Sequence, residues 1–119
     1  MVYAFSTDDC ALHVFPDAAA AIDYCEGFDV ANGGWQFFSA DGTALEAVFS
    51  EPARKFAFTV SHGRYGLRPN SGVALRDRFA DIRSVEGPPE LRSLAQVEAA
   101  LAGAASSQGT NRRQTTPGA

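Results

Sequence analysis

No lysine or arginine occurs in the first 53 residues. A half-chain without cations cannot neutralise phosphates, so nucleic-acid binding by that half is excluded on electrostatic grounds. Cysteine is scarce, with only Cys10 and Cys25. A chain of this size with a phenylalanine-rich core needs no bridge, and both are expected as reduced thiols. No apolar run approaches the roughly 20 residues that a membrane helix needs. The opening Met1-Val2-Tyr3-Ala4-Phe5-Ser6 lacks the charged and apolar regions of a secretory signal and runs straight into Asp8-Asp9. The cytoplasm is therefore the expected compartment. Gly33-Gly34 precedes a strand-like run and no Gly-Lys-Ser/Thr follows it, which makes it a turn and not a phosphate loop.

What is present suffices for one domain. The 119 residues are 45% apolar and include nine phenylalanines, three tyrosines and one tryptophan, enough large side chains to fill a single core. The charge is sharply divided. Residues through Ala53 hold nine acids (Asp8, Asp9, Asp17, Asp23, Glu26, Asp29, Asp41, Glu46, Glu51), whereas the remainder holds all ten bases against five acids. Such asymmetry bears on partners and encounter rates and not on fold.

Val2–Phe5 and Ala11–Phe15 have the composition of short strands, and Pro16-Asp17 supplies a rigid start and an N-cap oxygen for an alanine-rich helix through Glu26. Gly27 is expected to close that helix in a left-handed conformation. Asp41-Gly42 separates Trp35–Phe38 from Thr43–Phe49 at hairpin spacing. Lys55–Ser61 alternates Phe56, Phe58 and Val60 against Ala57, Thr59 and Ser61, the period of a half-buried strand, and Arg64–Pro69 follows. These four runs predict an antiparallel meander with Trp35, Phe37, Leu45, Phe49, Phe56, Phe58, Val60 and Tyr65 or Leu67 inward. A helix over Val73–Ile82 and another capped by Ser93, carrying Leu94, Val97 and Leu101 on one side and stopped by Gly103, complete the pattern. The expected architecture is a single α+β domain over residues 1–103: a four-stranded antiparallel meander, open to extension by the N-terminal strands, packed with about three helices. A disordered tail over 104–119 is expected to follow.

Candidate chemistry is sparse. Cys10 and His13 could begin a zinc site with Cys25 and His62, but residues three apart on a strand face opposite sides, so no metal site or cofactor is expected. Cys25 lies on an apolar helix stripe near the C-terminal end, where burial and the helix dipole both disfavour a thiolate nucleophile. Paired carboxylates such as Asp23 with Glu26 fit acid–base hydrolysis by residue type alone. Arg64, Tyr65 and Arg68 interleave bases with an aromatic, which is thin support for nucleic acid in an acidic chain.

The run Ala21-Ile22-Asp23-Tyr24-Cys25-Glu26-Gly27-Phe28-Asp29-Val30, with Gly34-Trp35-Gln36-Phe37-Phe38, Asp41-Gly42, Leu45, Phe49 and Pro52 after it, resembles immunity proteins of contact-dependent growth inhibition systems, partners of polymorphic toxins. The similarity covers roughly residues 2–102. It implies a cytoplasmic, non-enzymatic protein that binds the toxic C-terminal domain of a cognate effector, commonly a nuclease with a basic cleft, and neutralises it stoichiometrically. An acidic surface suits such a cleft because it imitates a phosphate backbone and steers encounter. Asp23, Tyr24, Glu26, Asp29, Asp41, Glu46 and Glu51 are the candidate contacts, with Tyr24 as aromatic anchor. No nucleic-acid or membrane partner is expected, and the free protein is expected to be a monomer or homodimer. The alternative is a non-enzymatic adaptor or regulatory module that binds another protein, and a carboxylate hydrolase stands third.

Overall fold

Strands β1 (Val2–Ser6) and β2 (Ala11–Phe15) form an antiparallel hairpin. Their turn places Cys10 in the left-handed region at φ 55°. The structure is a computed structural model that describes residues 1–115, with side chains described through Ala104. Asp17 caps α1 (Ala18–Tyr24), its carboxylate accepting from the Ala20 amide at 2.8 Å, as the Pro-Asp signal predicts. The helix ends at Cys25, one residue before a second short helix, α2 (Gly27–Ala31). The expected left-handed terminator at Gly27 is therefore corrected. Gly27 is needed for space, because a Cβ there would lie 1.8 Å from the His62 carbonyl oxygen.

Next come β3 (Trp35–Ser39) and β4 (Ala44–Glu51), joined by the Asp41-Gly42 turn, where Gly42 adopts φ 86° and the Asp41 carboxylate accepts from the Thr43 amide. The predicted third strand of the meander does not enter the sheet. Residues 54–61 instead fold into a separate hairpin of β5 (Arg54–Lys55) and β6 (Val60–Ser61), and β4 pairs directly with β7 (Arg64–Pro69). A register shift between Phe49 and Glu51 ends regular pairing just before Pro52. With β7 occupying the edge of β4, no slot remains for the alternating segment, and Phe56, Phe58 and Val60 are exposed instead of buried. A three-residue strand, β8 (Ser84–Glu86), joins β2 in parallel. The main sheet thus has the order β7-β4-β3-β1-β2-β8, so the N-terminal hairpin forms its centre and one flank.

Both faces of this sheet are covered. Register places Tyr3, Phe5, Leu12, Phe38 and Ala44 on one side, packed against Leu75, Leu91, Val97 and Leu101. Val2, Ala4 and Phe37 face the other way and meet Ala21 and Cys25 of α1, with Val30, Trp35, Leu45, Tyr65 and Leu67 around them. The segment Leu75–Asp81, predicted as an ordinary helix, is a 3-10 helix whose first residue has no side-chain cap. The last helix, α3 (Leu94–Thr115), opens with a reciprocal box in which Gln96 N–H donates to Ser93 Oγ at 3.2 Å and Ser93 N–H donates to Gln96 Oε1 at 3.1 Å. Of Leu94, Val97 and Leu101, which the spacing put inward, Val97 and Leu101 are buried and Leu94 is half-buried. The helix runs on through Gly103, and residues 116–119 of the expected tail lie outside the described residues. Among the described residues no helix is long and apolar enough to cross a membrane.

Candidate partner-binding surface

The α1 side of the sheet carries an aromatic cluster whose origin is the small size of β1 side chains. Alternation puts His13 and Phe15 of β2 and Trp35 of β3 on the same face as Ala4 and Ser6. Because alanine and serine fill little space, rings from β2 and β3 meet over β1: His13 and Trp35 centroids are 5.2 Å apart in an edge-on arrangement. Tyr24, at the end of α1, packs on all three, 5.3 Å from His13, 5.5 Å from Phe15 and 5.9 Å from Trp35. Such contacts fix a ring with little side-chain entropy left to lose on binding. Even so, Tyr24 is 56% exposed. His13 is nearly enclosed beneath it, its Nε2 3.0 Å from Glu86 Oε2 of β8.

Carboxylates surround this cluster unevenly. Asp23 and Asp29 are exposed and make no ion pair among the described residues. Glu26 faces His62 at 3.7 Å, and His62 Nδ1 accepts the Phe28 amide at 3.2 Å, which pins the α1–α2 corner to the turn after β6. Asp23 and Glu26 line a groove of about 400 Å³ with Ile22, His62, Arg64 and Tyr65. Two carboxylates on the wall of one groove can grip a guanidinium or ammonium group, and they equally satisfy the residue types of acid–base chemistry. The remaining candidates lie elsewhere. Glu51 pairs at 3.6 Å with Arg64, which lines the same groove. Asp41 sits in the β3–β4 turn, bonded to the Ser39 hydroxyl and the Thr43 amide. Glu46 points from the opposite face of β4 and is held by Arg68 at 2.5 Å and Asn70 at 3.3 Å. The Arg68 and Asn70 hydrogen bonds keep its carboxyl below the usual range.

The seven candidates thus divide. Asp23, Tyr24, Glu26 and Asp29 share the α1–α2 corner with Glu51 near it, while Asp41 and Glu46 belong to other surfaces. His13, Phe15 and Trp35 are members of the cluster that sequence reasoning assigned to other roles. The alternation of β2 is visible in the sequence, but the contact with Trp35 depends on the strand order β2-β1-β3.

Neither cysteine belongs to this surface. Cys25 is buried beneath α1 and its thiol is pushed up to about 12 by desolvation, so it is neutral and unreactive at physiological pH. The Tyr65 hydroxyl donates to the Cys25 carbonyl at 2.5 Å and closes the end of α1. Among the described residues no group of three or more His, Cys, Asp or Glu side chains could hold a metal ion. No protein-family model, curated protein or solved structure matches the chain.

Proposed function

We propose that the chain is an immunity protein of a contact-dependent growth inhibition system. It acts in the cytoplasm by binding, and not by catalysis, and its partner is the toxic C-terminal domain of a cognate effector with nuclease activity. The observation that carries this reading is Tyr24: a half-exposed ring held among Phe15, His13 and Trp35, with Asp23 and Asp29, carboxylates that make no ion pair among the described residues, on the same helical corner. A rigid aromatic beside unpaired charge is the composition of an interface hot spot. A nuclease cleft is lined with cations placed for phosphates, so carboxylates presented at this corner compete for the same groups and draw the two proteins together.

The test is co-expression with the effector domain encoded beside this chain. The expected outcome is cell survival with a recoverable one-to-one complex, lost when Tyr24→Ala is combined with Asp23→Asn and Asp29→Asn. Continued killing with no complex recovered contradicts the reading. Survival with an unaffected complex in the triple variant leaves immunity standing and moves the interface elsewhere.

A further inference from the structure

The β5–β6 hairpin carries its apolar side chains in solvent. Phe58 is 102% exposed, Phe56 51% and Val60 36%, in a turn closed by the Phe56 amide on the Thr59 carbonyl at 2.8 Å. Lone exposed apolar residues are ordinary, but two phenylalanines at one hairpin tip form an apolar knob whose exposure stabilises nothing in the monomer. Arg54 and Lys55 flank the knob, and neither makes an ion pair among the described residues. At the other end of the sheet lies an apolar hollow of about 440 Å³, lined by Met1, Val14, Phe15, Pro16, Pro88 and Leu91, with Glu90 also on its wall. Glu90 is exposed and has no ion-pair partner among the described residues.

We propose that the Phe58 knob of one molecule seats in this hollow on a second copy of the chain, with Arg54 and Lys55 approaching Glu90. Shape and charge agree: an apolar projection with cations beside it meets an apolar recess with an anion beside it. The hairpin joins β4 to β7 at one edge of the sheet, whereas the hollow is built on β2 and its neighbours at the other. Two copies can exchange knobs reciprocally about a two-fold axis or join head to tail, and the seating of knob in hollow draws copies together either way. Its small area makes the association weak and visible only at high protein concentration.

Sedimentation equilibrium of the full chain over rising concentration tests this. The wild-type mass is expected to climb with concentration above that of the monomer. Phe58→Asp removes the knob and Glu90→Arg reverses the charge beside the hollow. Both positions are exposed, so the folds should persist, as circular dichroism can verify. Phe58→Asp should raise the concentration needed for association about tenfold or more, the equivalent of burying one phenyl ring, and Glu90→Arg should raise it by a smaller factor. Mixed one to one, the variants retain one good knob and one good hollow between them and should form a heterodimer that stops at that size. A wild-type protein that stays monomeric over that range overturns the proposal. So does a Glu90→Arg chain that associates as the wild type does, because the knob would then dock on another surface, and so does a mixture no larger than its parts.

Discussion

At the scale of single residues, the molecule separates side chains that hold the fold from side chains left available to a partner. Tyr24 makes its ring contacts at the surface and is itself a member of neither buried core cluster. Tyr24→Ala should therefore weaken partner binding by about 2 kcal/mol, roughly 30-fold in Kd by titration calorimetry, while urea unfolding changes by far less. Cys25 belongs to the other group. Its thiol titrates near 9.0 when exposed and at about 12 in the fold, so the folded state keeps a proton that the unfolded chain releases. The stability this thiol contributes is complete below pH 9 and is lost as pH rises toward 12. Unfolding free energies of wild type and Cys25→Ala, measured at intervals from pH 8 upward, should converge as the pH rises, and a constant gap would contradict the assignment. Which residues would be buried was legible where the reason is local, as for Cys25 on an alanine-rich stripe. The mates of Tyr24 were not, because Ala4 and Ser6 reveal their importance only once β1 is known to lie between β2 and β3.

At the scale of elements, local signals and tertiary competition account for what the sequence did and did not reveal. The Asp17 and Ser93 caps are read from neighbouring residues and stand where expected, and Gln96 completes the second one reciprocally. Replacing either Asp17 or Ser93 by alanine should cost about 1 kcal/mol, measurable by thermal or urea unfolding. The 55–61 segment shows the opposite case. Its alternation is real, but alternation states only that a strand would have two faces and not that a sheet has room for it, and β7 takes the place beside β4. Because the hairpin buries so little, Phe58→Ser should leave stability within about 0.5 kcal/mol. Strand β8 gave no signal, since three residues are too few to display a period. Gly27 misled for a physical reason: glycine marks both left-handed turns and close backbone approaches, and only the His62 contact distinguishes them. Gly27→Ala forces that contact apart and should destabilise by roughly 1–3 kcal/mol or more, with loss of the Phe28–His62 hydrogen bond visible in the histidine NMR signals.

At the scale of the whole molecule, the division of charge along the chain is partly neutralised by folding. Arg64 and Arg68 from the second half pair with Glu51 and Glu46 from the first, and His62 faces Glu26. The acidic half thus contributes a smaller surface than its nine carboxylates suggest, and Asp23 and Asp29, which make no ion pair among the described residues, stand together at the α1–α2 corner. The most direct measurement of the central claim is the association rate constant of the chain with its effector domain, by stopped flow, at about 20 mM and about 500 mM salt, ionic strengths at which charges are weakly and strongly screened. An acidic corner that steers a basic cleft predicts a rate that falls steeply with salt, and an Asp23→Asn, Asp29→Asn chain whose low-salt rate drops toward the high-salt value while Asp41→Asn leaves it unchanged. A rate indifferent to salt, or to both aspartates, would contradict it.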